Sequence, residues 1–140
     1  MKKLTLLLAT FAVSGMASAV QLPSSGSVTT NDCALLNENV RINLTSGVQA
    51  GVSCNDRAIA IAACHTAGRT SSREVEKFNC TTDQSDPPVK SCVSFDPKQY
   101  ETKSGPAMAT ASTISGTVVP DYPAGSCDAA AAETSATSKL

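Results

Sequence analysis

An alternating pattern between Val40 and Cys54 constrains this fold more than any other feature of the sequence. Small or apolar residues occupy every second position of that stretch, and the positions between them are polar or glycine. Because successive side chains of a strand point to opposite faces, the pattern predicts strands with one apolar and one polar face. We expect two strands, near residues 39–46 and 48–54, separated by a bend. One strand of unusual length is the alternative.

The segment that follows, residues 56–67, is rich in alanine and apolar on nearly every side. Its pattern is ambiguous, because Ile59 and Ile61 also alternate as they would in a strand. The alanine content, the Asn55 start and the Gly68 stop favour a helix. A helix without a polar face must be covered by other elements, so we expect it to be buried.

Two later segments have strand character, and the chain ends in a short alanine-rich stretch. Residues 89–95 alternate between polar and apolar side chains, and residues 108–119 are small, rich in threonine and stopped by Pro120. Residues 127–134 are expected to form a short helix. The fold class predicted from these elements is α+β, a small single domain with a mostly antiparallel sheet.

The amino terminus has the three parts of a secretory signal peptide. Lys2 and Lys3 are followed by an apolar run to about Val13, and then by the small residues Ala17 and Ala19. This order predicts a signal peptide over residues 1–19, with cleavage after Ala19. The apolar run is shorter than the roughly 20 residues that a spanning helix needs. We therefore expect a bacterial periplasmic or extracellular protein with no membrane span after cleavage.

The rest of the chain divides into three regions by composition. Residues 20–32 are rich in serine and threonine and are expected to form a flexible leader. Residues 33–127 are bracketed by cysteines and form the predicted domain. Residues 128–140 are expected to form the short helix and a frayed tail.

Six cysteines in a chain that carries an export signal predict three disulfides. If residues 56–67 are helical, Cys54 and Cys64 lie roughly 15 Å apart, whereas a disulfide requires Cα atoms within about 7 Å. That pair is therefore excluded. Many connectivities remain, and we favour the one that closes successive loops: Cys33–Cys54, Cys64–Cys80 and Cys92–Cys127.

Charge and motifs argue against several classes of function. The formal net charge is −1, and the charges are scattered, so the basic surface of a nucleic-acid-binding protein is not expected. The sequence contains no C-x-x-C pair, no P-loop, no G-x-S-x-G elbow and no dinucleotide glycine pattern. The cysteines also lack zinc-knuckle spacing. We therefore expect neither a cofactor nor a metal.

His65 is the single histidine of the chain, so any acid–base or metal hypothesis depends on it. The adjacent Cys64 is a poor nucleophile, because it is expected to be oxidised. Neighbours on a helix also point about 100° apart. We predict no catalytic residue and a protein that is not an enzyme. An enzyme that uses His65 is the third interpretation.

One loop, residues 87–92, has a shape that suggests binding. Prolines stiffen it and a cysteine ends it, so a preorganised Lys90 could enter a trypsin-like protease. The alternative is an ordinary turn into a strand. The candidate binding residues are Pro88, Val89, Lys90 and Ser91.

These features predict an exported, non-catalytic structural, surface-associated or binding protein that is stabilised by three disulfides. Its partner would be an unidentified protein or surface, or a second copy of the chain. The alternative is an inhibitor or toxin-like effector that uses the loop of residues 87–92.

Overall fold

The structure, a computed structural model, describes residues 18–85 and 89–140. Strands dominate this part of the chain, and a helix follows them. In chain order the elements are β1 (Ser18–Leu22), β2 (Gly26–Val28), β3 (Val40–Ile42), β4 (Val48–Cys54), β5 (Ile59–His65), β6 (Arg73–Glu76), β7 (Phe78–Thr82), β8 (Lys90–Ser94), β9 (Tyr100–Lys103), β10 (Met108–Ser112), β11 (Val118–Asp121) and α1 (Ala129–Thr137).

The core is built on an antiparallel sheet with the strand order β1-β4-β5-β10-β11. Strands β4 and β5 form its centre and pair from Val48 opposite His65 to Cys54 opposite Ile59. Three two-stranded ribbons, β2–β3, β6–β9 and β7–β8, complete the strand pairing. The small, mostly antiparallel domain predicted from the sequence therefore agrees with the structure.

The predicted buried helix at residues 56–67 is wrong, because this segment contains the central strand β5. Ala60, Ala62 and Cys64 face α1, whereas Ile59 and Ile61 pack against the opposite core. A strand covered on both faces is apolar throughout, which is also the composition of a buried helix.

Asn55 stabilises the turn between β4 and β5 and does not begin a helix. Its Oδ1 accepts hydrogen bonds from the backbone N–H groups of Arg57 and Ala58, at 2.8 Å each. Asparagine stabilises tight turns in this way as readily as it caps helices. The same residue therefore supports either interpretation when only the sequence is considered.

Helix α1 packs on one face of the sheet, and its small side chains allow a close approach. Ala132 and Ala136 are fully buried there. A Cβ atom built on Gly51 would lie 2.1 Å from the backbone nitrogen of Glu133, so only glycine fits beneath the helix. The Thr137 hydroxyl donates to the hydroxyl of the buried Ser53 at 3.0 Å. Glycine in the middle of a central strand is explained by this contact.

The predicted C-terminal helix is present, but it extends to Thr137, beyond the expected end at residue 134. Asp128 is its N-cap and accepts from the Ala131 N–H at 2.8 Å. This hydrogen bond and the Ser126 hydroxyl lower the pKa of Asp128. The tail is not frayed as predicted, because Leu140 packs against the core cluster beneath the helix.

The opposite face of the β1–β4 half of the sheet is covered by residues 22–44. Leu22, Val28, Cys33 and Val52 are buried in this second core. The predicted flexible leader at residues 20–32 is therefore wrong, because it contributes β1, β2 and buried side chains. The Asp32 carboxylate also accepts hydrogen bonds from Thr29, which lower the pKa of Asp32.

Two predicted strands are shorter or divided in the structure. The strand expected near residues 39–46 is reduced to β3, and Gly47 turns the chain with a φ of 80°. The strand expected over residues 108–119 is split into β10 and β11 by a turn in which Gly116 has a φ of 61°. Positive φ favours glycine, and both residues therefore mark turns. The strand predicted at residues 89–95 corresponds to β8.

All six cysteines form disulfides within the chain, and the pairs are Cys33–Cys54, Cys64–Cys127 and Cys80–Cys92. The favoured pairs Cys64–Cys80 and Cys92–Cys127 are therefore wrong. Cys80 lies directly opposite Cys92 in the β7–β8 ribbon. Cys64 faces α1 and bonds to Cys127, just before the helix. The three bonds fit an oxidising compartment such as the periplasm or the extracellular space.

Most of the predicted signal peptide, residues 1–17, lies outside the described residues. The predicted cleavage site after Ala19 falls inside β1, where Ala19 pairs with Ser53 and Val20 with Val52. Within residues 18–85 and 89–140, no helix has the length and apolar character that crossing a membrane requires.

Candidate functional site

The chain between β5 and β10 leaves the sheet as a long two-stranded ribbon, which we call the arm (residues 69–105). Strands β6 and β9 form its inner half, and β7 and β8 form its outer half. The backbone N–H of Lys77 donates to the carbonyl of Gln99 at 2.8 Å where the halves meet. Only Lys77 separates β6 from β7, whereas the connection from β8 to β9 spans residues 95–99 and contains the cis Asp96–Pro97 bond.

Arg73 anchors the arm at its root. Its Nη2 donates to the carbonyls of Arg69 and Gly105, and its guanidinium lies 4.9 Å from the ring centre of Tyr122. Gly105 has a φ of 110°, and a Cβ atom there would lie 2.2 Å from the carbonyl oxygen of Pro123. The root is therefore held by a cation–π contact and by close backbone packing.

The middle of the arm is held by polar contacts. Lys98 Nζ lies 3.1 Å from Glu76 Oε2. The Ser94 hydroxyl and the Lys98 ammonium lower the pKa of Glu76, and the same carboxylate raises the pKa of Lys98. Lys77 places its ammonium 5.9 Å from the ring centre of Phe95. Because the Lys98 side chain is 62% exposed, although Glu76 is only 21% exposed, the ion pair orients the two side chains more than it adds stability.

At the tip of the arm, Asp83, the residue after β7, is connected by hydrogen bonds to the residue before β8. Its backbone N–H donates to the Val89 carbonyl at 3.0 Å, and its Oδ1 accepts from the Val89 N–H at 2.7 Å. The hydroxyl of Ser85 and then the Val89 N–H lower the pKa of Asp83. The chain is therefore brought back toward β8 by one carboxylate.

The outer half of the arm exposes apolar side chains on a ribbon that carries a disulfide. Every residue of β7 and β8 is exposed. Phe78 is 53% exposed and Val93 60% exposed, and the arm residues Val89 and Tyr100 are similarly accessible. Isolated exposed apolar residues are ordinary, but several on one projecting element indicate an interaction surface.

An open groove of about 870 Å³ runs between the arm and the β10–β11 edge of the sheet. The face of β7 that carries Phe78 and Cys80 lines one side. Ile114, Val119 and Tyr122 line the other side. The groove thus has apolar walls on both sides and is open along its length.

Charges of both signs are present around the groove. Its acidic residues are Glu74, Glu76, Glu101 and Asp121, and its basic residues are Lys77, Lys90, Lys103 and Lys139. Several of them neutralise each other: Lys103 lies 3.2 Å from Glu101, and Lys139 lies 3.6 Å from Asp121. The balance does not favour a strongly anionic or cationic ligand.

The structure brings part of the predicted binding loop to this groove. Lys90 lines it from the outer end of β8, and Val89 and Ser91 are exposed beside it. Among the described residues, Lys90 has no ion-pair partner. Pro88, the remaining predicted residue, and Pro87 lie outside the described residues.

His65 lies elsewhere, at the exposed end of β5. Its Nδ1 accepts from the Ala67 N–H at 3.0 Å, and a Cβ on Gly47 would lie 2.8 Å from the imidazole ring. Cys64 points to the opposite face of the strand and is oxidised, so the two side chains do not form a nucleophile–base pair. Residues 18–85 and 89–140 contain no group of three or more side chains suited to holding a metal ion.

The residues that shape the groove but lie outside residues 87–92 were not identified from the sequence. Arg73 and Tyr122 are far apart in sequence, and their contact depends on the root of the arm. Phe78 is exposed, and no motif in the sequence marks it as part of a surface. Neither a family model, a curated protein nor a solved structure matches the chain, so these contacts are the basis for assigning a role.

Proposed function

We propose that the chain is an exported, non-catalytic binding or structural protein, and that the arm and its groove contact a protein partner. The observation that carries this proposal is the exposed apolar surface on the outer half of the arm, held outside the sheet and tied by a disulfide. Burial of the remaining exposed surface of these half-exposed side chains contributes up to about 1–1.5 kcal/mol each. The predicted signal peptide supports export.

The partner class follows from the groove. Apolar walls and balanced charges fit a polypeptide segment better than a nucleic acid or a small ion. A second copy of the chain is one such partner, and an unrelated surface protein is another. Sedimentation at increasing protein concentration separates them, because self-association gives a concentration-dependent mass.

A photo-crosslinking residue at Val93 tests the proposal in the producing cell. Val93 is exposed on the outer half of the arm, and Val118, the matched control, is equally exposed on β11; neither residue lines the groove. We expect a discrete crosslinked protein with the probe at Val93 and none with the probe at Val118. Equal crosslinking from both positions, or none from Val93, would refute the arm as the contact surface.

Inhibition of a trypsin-like protease is the second candidate, and the exposed Lys90 on a disulfide-tied ribbon favours it. Lys90 is paired with Thr82 across the ribbon, so one backbone edge remains available for a protease cleft. We expect the oxidised protein at micromolar concentration to slow trypsin, and Lys90→Ala to abolish the effect. Unchanged trypsin activity with the unsubstituted protein removes this candidate.

A further inference from the structure

The three disulfides differ in their access to solvent. Cys33, Cys54 and Cys64 are buried, and their bonds lie within or beside the two cores. Cys80 and Cys92 are exposed on the arm. Because exchange requires an external thiolate to reach a disulfide sulfur, the arm disulfide is the accessible target.

The outer half of the arm depends on that bond for its order. Strands β7 and β8 pair with each other and contribute no residue to either core cluster. An isolated two-stranded ribbon is only marginally stable in water. The disulfide joins residues that are directly opposite in the ribbon, so it fixes the register of the pairing.

Lys90 is placed to assist the opening of this disulfide. It lies two residues before Cys92 on the same face of β8, and both residues line the groove. The same-face neighbours of Cys80 on its own strand, Phe78 and Thr82, are uncharged. An ammonium close to Cys92 stabilises a leaving thiolate at that sulfur.

We propose that the Cys80–Cys92 bond is a thiol-exchange site for an external dithiol, and that opening it disorders the outer half of the arm. A thiolate of the dithiol attacks Sγ of Cys80, and the electron pair of the broken bond leaves on Sγ of Cys92, which is then protonated by water. The second thiol of the dithiol attacks the mixed disulfide and releases Cys80. The dithiol is thereby oxidised to a disulfide, and the protein gains two thiols.

This site goes beyond the binding role, and its chemistry can be measured without a partner. Fully oxidised protein is incubated with dithiothreitol near neutral pH, quenched with acid at intervals, alkylated and mapped by mass spectrometry. Cys80 and Cys92 should be alkylated at least about tenfold faster than the other four cysteines, because Cys33, Cys54 and Cys64 are buried and Cys127 is partly buried against the core. Simultaneous reduction of all three bonds, or earlier reduction of a buried one, would overturn the proposal.

The role of Lys90 is tested with Lys90→Met and with Lys103→Met as the matched control. Lys103 is on the inner half of the arm and is paired with Glu101. One charge at about 7 Å in water changes the exchange rate about threefold, and added salt weakens the effect. We expect Lys90→Met to slow reduction by that factor and Lys103→Met to leave it unchanged. Equal rates in the two variants would remove Lys90 from the mechanism.

The conformational step is tested by amide hydrogen exchange after selective reduction and alkylation. The amides of β7 and β8 should exchange faster than in the oxidised protein, while β4 and β5 keep their protection. The Cys80→Ser/Cys92→Ser variant should reproduce this pattern without any reductant. Unchanged exchange in β7 and β8 would show that the bond does not order the outer half of the arm.

Discussion

Replacement of Gly51 by alanine should destabilise the protein through the contact between the sheet and α1. The new Cβ would lie 2.1 Å from the Glu133 nitrogen and 2.3 Å from its Cα, whereas ordinary contact begins at 3.4 Å. The obstruction is helix backbone, which cannot rotate away. The helix must therefore move outward by more than about 1 Å, a gap that forfeits a quarter to a half of the dispersion energy at each contact.

The expected cost follows from what this movement uncovers. Ala132 and Ala136 are fully buried against the sheet, and each buried methyl group contributes about 0.8 kcal/mol. Together with residual overlap, the loss should reach about 2–3 kcal/mol, the upper part of the range for overpacked cores. In a domain of this size, that loss lowers the melting temperature by roughly 10 °C. Urea and thermal unfolding followed by circular dichroism measure both quantities.

Gly26→Ala is the matched control. A Cβ on Gly26 would meet the end of the Leu22 side chain and no backbone atom closer than 3.8 Å, and its backbone conformation does not require glycine. We expect a change of less than about 1 kcal/mol. If Gly51→Ala were as stable as Gly26→Ala, the close approach of α1 to β4 would not be the reason for glycine at position 51.

Two further predictions concern the disulfides and the helix cap. Serine at Cys64 and Cys127 should cost about 4 kcal/mol, because that bond closes a loop with a sequence separation of 63. Serine at Cys80 and Cys92 should leave the unfolding of the central sheet within about 0.5 kcal/mol, because the arm adds nothing to either core; equal losses in urea would contradict this contrast. The cap hydrogen bonds lower the pKa of Asp128 below its ordinary value of 3.8, so its contribution is complete above that pH and is lost as the pH falls through the folded-state pKa. Asp128→Asn keeps the acceptor without the titration, and its acid unfolding profile by circular dichroism should be flatter than that of the unsubstituted protein; identical profiles would show that the cap does not titrate with folding.

The alternating segments could be predicted from the sequence, because a half-covered strand repeats every two residues. The central strand β5 could not be predicted from the sequence. Both of its faces are covered, so its residues do not alternate between apolar and polar. The alanines of β5 are explained by the close packing of α1, a tertiary cause that local helix propensity does not represent. The pairing of Cys64 with Cys127 could not be predicted either, because it depends on the packing of α1 on the sheet.

The candidate site was even less accessible to sequence reasoning. Lys90 was found because proline and cysteine flank its loop, which is a local signal. The groove depends on the arm turning back beside β10 and β11, and the Arg73–Tyr122 contact at its root joins residues far apart in the chain. Phe78 is exposed, but a prediction from neighbouring residues alone would place this phenylalanine in the core. Nothing in the sequence indicates that its strand lies outside the sheet.

The position of the arm between two neighbouring strands makes it separable from the rest of the molecule. Strands β5 and β10 are adjacent and antiparallel, so their facing ends lie only about 5 Å apart across the sheet. A short turn could join them if residues 69–105 were absent, and the Gly105–Thr70 hydrogen bond already marks that junction. Changes in the length or sequence of the arm would leave the sheet, the helix and their two disulfides intact. The sheet and the helix can therefore accept arms of different length or sequence at this junction.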